Sequence, residues 1–388
     1  MGDAEQIVIK VIDRIGQISA AEWDACAGDD NPFVRHAFLH ALEVSGCATP
    51  ETGWAPVHVV LENPAGEIIG GAPLYLKNHS HGEYVFDHGW AAAFERAGGD
   101  YYPKLQMSVP FTPATGRRFL VRPGEDTHRV ESALLSGCLE LAQQFEASSL
   151  HITFMTESEW QHMGEAGLLQ RTDQQFHWEN RGYTCFDDFL ADLSSRKRKA
   201  IRKEREGAHA LGIDIEIVTG TDLRPEHWDA FFRFYMDTGN RKWGRPYLNR
   251  EFFGLLGETM PDQVALVMCK RDGRYIAGAL NMIGRETLFG RNWGCIEDHR
   301  YLHFEACYYQ AIDFAIARGL QRVEAGAQGA HKLSRGYMPT ATYSAHWVAN
   351  PGLRDAINRY LTDERRMVEE DMDALTQHAP FKRGPESH

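Results

Sequence analysis

Tyr275-Ile276-Ala277-Gly278-Ala279-Leu280, with a second apolar run at 287–293, decides how this chain is read. Both runs are short and rich in apolar and aromatic residues, which predicts two strands. A helix comes next. Phe304, Cys307, Tyr308, Ala311, Ile312, Ala315 and Ile316 recur at i, i+3, i+4, the spacing of one buried face. Gly319 stands where a left-handed residue commonly stops a helix. A short strand, 320–325, then enters Gly326-Ala327-Gln328-Gly329-Ala330-His331-Lys332-Leu333-Ser334-Arg335-Gly336-Tyr337. A polar, glycine-rich turn just after a strand is a place where α/β proteins hold ligands, because loops on a rigid scaffold carry function.

Length and composition bound what the rest can be. A chain of 388 residues is long enough for about two domains. Its 43% hydrophobic and 24% charged content is that of a globular protein. No run of about 18 apolar residues exists, so no membrane span is expected. Met1-Gly2-Asp3-Ala4-Glu5-Gln6 is acidic and has no apolar core behind it, which argues against a signal peptide. Seven scattered cysteines without a Cys-x-x-Cys pair argue against a disulfide framework or a zinc knuckle, and a cytoplasmic location is expected. No His/Asp/Glu set has metal-ligand spacing. A net charge of −13 excludes bulk attraction to DNA or anionic lipid, so any polyanion must meet a local patch.

The order of elements repeats. Gly66-Glu67-Ile68-Ile69-Gly70-Gly71-Ala72 resembles Gly273-Arg274-Tyr275-Ile276-Ala277-Gly278-Ala279. Tyr84-Val85-Phe86-Asp87-His88-Gly89-Trp90 resembles Thr287-Leu288-Phe289-Gly290-Arg291-Asn292-Trp293. A helix and strand at 130–155 match those at 304–325. Gly167 precedes His177-Trp178 by the same interval at which Gly336 precedes His346-Trp347. Four matches in one order predict two copies of one α/β unit. The expected domains are 1–180, with an insertion at 91–126, and 181–388, ending in a polar helix at 353–377.

Two further stretches invite chemistry. Arg196-Lys197-Arg198-Lys199-Ala200-Ile201-Arg202-Lys203-Glu204-Arg205 packs seven cations into ten residues of an acidic chain. Helical spacing puts Arg198 and Arg202 on one face and Lys199 and Lys203 on the next. The run is either a solvated helix face or a phosphate contact to a nucleotide, a pyrophosphate or a tRNA end. Asn240-Arg241-Lys242-Trp243-Gly244-Arg245-Pro246-Tyr247-Leu248 sets flat rings and forked donors around Gly and Pro. It is either loop packing or a substrate clamp using Trp243, Arg245 and Tyr247.

These motifs, with Cys185-Phe186-Asp187-Asp188-Phe189-Leu190 and Tyr101-Tyr102-Pro103-Lys104…Val109-Pro110-Phe111-Thr112-Pro113, resemble a bacterial family of N-acyltransferases. That family is described as peptidoglycan biosynthesis/recognition proteins and is related to the FemAB aminoacyl transferases. The likeness runs from about Asn31 to Trp347. It implies two tandem GNAT-like (acyl-CoA N-acyltransferase-like) domains of the α/β (α+β) class. It implies transfer of an acyl or aminoacyl group from an activated donor to an amine. In the family pattern a Glu precedes the loop histidine; here Ala330 stands there, which puts a carboxylate base at that position in doubt.

In the GNAT fold two central parallel strands splay apart and a glycine-rich turn grips the coenzyme A pyrophosphate. By order, that turn would be Gly294-Cys295-Ile296-Glu297-Asp298-His299-Arg300-Tyr301-Leu302-His303, which has one Gly and two acids. The donor is therefore expected to be an aminoacyl-tRNA, or an acyl-CoA gripped by Arg291, Arg300 and the basic helix. No tightly bound cofactor is expected. The acceptor would be the amine of a small molecule or a cell-wall precursor. His331 and Glu324 are the candidate bases, and Tyr337 is a candidate acid or oxyanion donor. Arg196, Arg198, Lys199, Arg202, Arg291, Asn292, Gln328, Gly329, Lys332 and Arg335 are candidates for holding donor or substrate. The alternatives are a coenzyme A-dependent N-acyltransferase acting on a small amine, and a non-catalytic module that recognises a cell-wall precursor or a nucleotide. The first copy, without a glycine-rich turn at 157–163, is expected to carry no equivalent site.

Overall fold

The computed structural model describes residues 7–210, 212–242, 246–327 and 329–382. It divides into two compact units, one of residues 1–173 and 341–369, the other of 174–340 and 370–388.

Both units follow one pairing scheme. In the first, strands Val8–Ile12, His58–Glu62 and Ile68–Ala72 are antiparallel neighbours. The chain then crosses Pro73, which has no N–H for a ladder, into Leu74–Lys77. Leu74–Lys77 runs antiparallel to Lys104–Met107, which is parallel to Ser149–Met155. In the second, Ile213–Val218, Val264–Arg271, Arg274–Ile283 and Thr287–Cys295 are successive antiparallel neighbours. Thr287–Cys295 is parallel to Arg322–Glu324. The runs at 68–77 and 274–283 thus hold equivalent places, as the repeat predicts.

The last strand of each half has changed sides. Leu169–Glu179 follows the first half in sequence, yet Trp178 pairs with Val323 of the second unit. Met338–Val348 follows the second half, yet its residues 343–348 pair with Ser149–Met155 of the first. The two strands are each 11 residues long and each follows a left-handed glycine, Gly167 or Gly336, with φ of 88° in both. A sequence boundary at 180 misses this exchange, because the matching intervals reveal equivalent strands but not which sheet each one joins. The exchange assigns 174–179 to the second unit and 341–369 to the first.

The match between 84–90 and 287–293 also needs correction. The first of these is a loop entering the helix His88–Arg96, and the strand equivalent to Thr287–Cys295 is Lys104–Met107. The segment at 91–126 is therefore not a simple insertion, since it contains a central strand. Buried Glu83 and Asp87 explain the misreading: both point inward to the Lys104 ammonium, so an apparently alternating run is a cover and not a strand.

The apolar faces pack as the periodicities require. Val130, Leu134, Cys138 and Leu141 of the helix Thr127–Gln144 share one core with Leu74, Leu105, Leu150 and Ile152. In the second unit Tyr308, Ile312 and Ala315 pack with Leu288, Val323 and Trp178. All seven cysteines are free thiols. Among the described residues no helix is long and apolar enough to cross a membrane, and no group of His, Cys, Asp and Glu could hold a metal ion.

Gly294, the one glycine of the turn expected to hold a pyrophosphate, has a packing role. A Cβ there would lie 2.3 Å from the Phe234 backbone carbon of the helix Pro225–Lys242. Gly294→Ala is expected to destabilise the fold by about 1–3 kcal/mol through overpacking. Urea denaturation measures it; a midpoint equal to that of the parent chain would show that the helix shifts freely.

Candidate active site

In the second unit the parallel pairing is three residues long: Thr287 with Arg322, Leu288 with Val323, and Phe289 with Glu324. Beyond Phe289 the register against Arg274–Ile283 slips, because Leu280 faces Asn292 while Asn281 faces Gly290, leaving Arg291 as a bulged residue. Beyond Glu324 the other strand parts from this one, keeps backbone hydrogen bonds to Phe176 through Ala325 and Gly326, and then folds into the 3₁₀ helix Ala330–Arg335. The candidate loop therefore starts where the two central strands part.

A helix spanning 302–317 approaches this loop. Its turn Glu305–Tyr309 is π-helical, which inserts an extra residue and turns the neighbouring Tyr308 and Tyr309 toward the site. The Tyr308 hydroxyl lies 3.0 Å from His331 Nε2. Tyr309 donates its hydroxyl hydrogen to Glu204. Glu204 accepts from Arg335 Nη2 with both oxygens, each at 2.8 Å. Arg335 also donates to the His331 carbonyl oxygen at 2.7 Å and lies over the Phe304 ring at 3.5 Å. Lys332 is buried and donates to the carbonyl oxygens of Ala325 and Gly326, which pins the turn against the strand end.

Electrostatics favour a neutral imidazole here. Partial burial, then the charges of Arg335 and Lys332, lower the His331 pKa from its ordinary value. Burial also pushes Lys332 down to about 8, so its ammonium form still dominates at pH 7. The Tyr308 phenol is raised above the usual range by burial, which makes it a hydrogen-bond partner and not a phenolate.

The other expected site residues are placed as follows. Glu324 is buried, with a carboxylate oxygen 4.0 Å from His177 Nε2. Tyr337 is fully buried and donates to the Tyr308 carbonyl oxygen at 3.1 Å. That leaves it unavailable as a substrate-facing acid, and Tyr308 holds the position expected of it. Gly329 has φ of 107°, and a Cβ there would lie 2.3 Å from the His331 ring, so only glycine fits. Arg291 and Asn292 are half-buried on the strand beyond the opening, and Tyr247 is exposed. Trp243, Arg245 and Gln328 lie outside the described residues.

The basic helix Ser195–His209 turns an unexpected face inward. Its packed residues are Lys197, Ile201, Glu204, Arg205 and Ala208. Lys197 donates to Ser334 Oγ at 3.0 Å, and Arg205 reaches Glu305 at 2.9 Å and Asp313 at 2.7 Å. Arg198 is half-buried, while Arg196, Lys199 and Arg202 are exposed; Arg202 lies 3.3 Å from Asp187. Arg198 and Arg202 therefore lie outside the packed face of the helix. Sequence reasoning also passed over Glu204, Tyr308 and Tyr309. Glu204 carried a signal, as the one acid within the run of cations.

The family profile FemAB-like, described as peptidoglycan biosynthesis/recognition, matches residues 14–383. No curated protein matches. Among solved structures, FemX aligns with a TM-score of 0.57 at 13% identity, covering 88% of this chain and 98% of FemX. The C-terminal domain of a putative lysylphosphatidylglycerol synthetase from Agrobacterium fabrum aligns with a TM-score of 0.55 at 10% identity, covering 87% of this chain and 94% of that one. A conserved protein of unknown function from Bacteroides thetaiotaomicron aligns with a TM-score of 0.52 at 11% identity, covering 88% and 100%. At such identities the likeness is one of fold: this is a mixed α/β chain of two tandem GNAT-like domains.

The Arg335–Glu204 pair is the site's main internal tie. Glu204→Gln leaves a largely buried guanidinium without its counter-charge and is expected to cost about 3 kcal/mol. A double-mutant cycle with Arg335→Met measures the coupling; additive effects would show that the pair contributes nothing to the loop.

Proposed function

Since the chain belongs to the FemAB-like family, described as peptidoglycan biosynthesis/recognition proteins, we propose that it is an N-acyltransferase. It moves an acyl or aminoacyl group from an activated donor to an amine of a small molecule or cell-wall precursor. The observation that carries this reading is His331, on the turn that follows the strand opening, 3.0 Å from the Tyr308 hydroxyl on the neighbouring helix. An ammonium acceptor must lose a proton before its nitrogen can attack a carbonyl carbon. An imidazole held neutral by its surroundings can take that proton. The ammonium proton passes through His331 to solvent; the new N–C bond then forms as the donor's ester or thioester bond breaks, and the second proton lost by the nitrogen passes through His331 to the leaving oxygen or sulfur. Tyr308 orients the ring, and Lys332 and Arg335 fix the loop that carries it.

An aminoacyl-tRNA suits the donor side better than an acyl-CoA. Gly294 is occupied by packing, and the turn after it presents Glu297 and Asp298, which would repel a pyrophosphate. The outward cations Arg196, Lys199 and Arg202, with half-buried Arg198, offer a polyanion a local patch on an otherwise acidic chain. Trp243, Arg245, Tyr247, Arg291, Asn292 and Gln328 remain candidates for the substrate side. No tightly bound cofactor enters this reaction.

The test is transfer from aminoacyl-tRNA, and separately from acyl-CoA, to an amine acceptor. His331→Ala is expected to slow transfer by about 10²–10⁴-fold with little change in stability. Because the His331 pKa is lowered, the base form persists below the usual imidazole range. The parent rate should therefore fall only when pH drops beneath about 6.5. Full turnover by the variant would move the base role to Glu324. Tight calorimetric binding of coenzyme A with no protection of aminoacyl-tRNA would favour the acyl-CoA donor.

A further inference from the structure

A cleft of about 380 Å³ opens on the first unit where the helix Thr127–Gln144 ends and the strand Ser149–Met155 begins. That volume is at the low end for small-molecule sites. Two aromatic rings line it. Phe94 comes from the helix His88–Arg96, and Trp347 from Met338–Val348, the strand that the second half of the sequence contributes. Ala142 and Ala147 line it as well, and their short side chains leave open the space that larger ones would fill. Asp100 and Glu146 bring two carboxylates, and no lysine, arginine or histidine is among the described residues of the lining. Neither carboxylate has a hydrogen-bond or ion-pair partner among the described residues. The helix ends at this cleft, and the partial negative charge of a helix C-terminus also favours a cation.

Glu146 departs from what the backbone prefers. The helix closes with the Glu146 N–H donating to the Gln143 carbonyl oxygen at 3.1 Å and the Ala147 N–H to the Ala142 carbonyl oxygen at 2.8 Å. This closure holds Glu146 in the left-handed region, with φ of 51°, where glycine is favoured because a Cβ is strained. The duplicated unit shows the ordinary solution. Its equivalent helix closes by the same two bonds, Gly319 N–H to the Ile316 oxygen and Leu320 N–H to the Ala315 oxygen. There the left-handed residue is glycine, with φ of 68°. The first copy therefore keeps a carboxylate at a position where its own repeat has none, and that carboxylate lies on a cleft with two aromatic rings.

We propose that this cleft is a binding site for a small organic cation, a primary ammonium carried on an aromatic body. The body packs on Phe94 and Trp347, and the ammonium is taken by Glu146 and Asp100. An ammonium beside an indole gains further attraction from the negative face of the ring. All six residues belong to the first unit, and nothing in the site depends on the chemistry at His331.

The test uses the full chain labelled with fluorotryptophan, the Trp347 fluorine signal being assigned from Trp347→Phe. Phenethylamine, an ammonium ion at neutral pH, is titrated against phenethyl alcohol, which has the same ring and no charge. The amine should move the Trp347 signal saturably, and the alcohol should bind about tenfold more weakly or worse. Glu146→Gly should weaken amine binding about tenfold while raising the thermal midpoint, because it removes the charge and the strain together. Glu146→Gln, which keeps a side chain in the left-handed region, should weaken binding as much without that gain in midpoint. Equal responses to amine and alcohol would overturn the assignment of a cation. A Trp347 signal that neither compound moves, or a Glu146→Gly chain that binds the amine as the parent does, would overturn the site. Weaker binding by Glu146→Gly together with a lower midpoint would make Glu146 a structural residue and overturn it equally.

Discussion

Three residue pairs fix the centre of the second unit: Thr287 with Arg322, Leu288 with Val323, and Phe289 with Glu324. The pairing cannot run further. The bulge at Arg291 turns one strand, and the helix Pro225–Lys242 lies so close to Gly294 that no side chain fits between them. The other strand parts from it after Glu324, and that parting sets where the loop bearing His331 begins. The π-helical turn at Glu305–Tyr309 then supplies the two tyrosines that meet the loop. Ordering a loop costs conformational entropy. Here Lys332 on two carbonyls and Arg335 on Glu204 offset it by fixing both ends of the short helix.

The strand exchange follows one rule in both units. The incoming strand lays a buried histidine directly opposite a titratable residue of the last central strand: His177 opposite Glu324, and His346 opposite His151. In each case one ring nitrogen, His177 Nδ1 or His346 Nε2, has no partner among the described groups. Each unit's central polar position is thus completed by a residue from the other half of the sequence. Neither half alone could assemble it, which gives a physical reason for the duplicated unit to remain one chain.

Much of this architecture was legible from periodicity. The strands at 68–77 and 275–283, the helix faces, and the glycines at 167 and 336 recur at intervals that a sequence displays directly. What the sequence hid were facts about partners. An 11-residue strand reads the same whichever sheet it joins, so the exchange left no local trace. The alternation at 84–90 reads as a strand until Lys104 is known to draw Glu83 and Asp87 inward. Tyr308 and Tyr309 sat inside an amphipathic helix and read as core, because a π-helical turn is not encoded in hydrophobic spacing. Glu204 was visible as the odd acid in a basic run, and Tyr337 was misjudged because a loop tyrosine looks the same whether its hydroxyl faces substrate or a carbonyl.

The polar face of the first unit shows the limit of pattern most clearly. Lys104 and Gln106, then Ser149, His151 and Thr153, then Ser344 and His346 alternate with apolar residues, and such alternation ordinarily means one wet face. Period two reports which side of a strand is polar, not whether water reaches it. Here the connection at 78–103 seals that side, and the polar side chains become a buried network whose ions survive because each charge has a counter-charge within reach. Replacing such a network with apolar residues of similar volume is commonly neutral or stabilising, so stability alone gives no reason to keep it. A single lysine with all three hydrogens committed holds the cover, and Lys77 stands 3.7 Å from the second oxygen of Glu83.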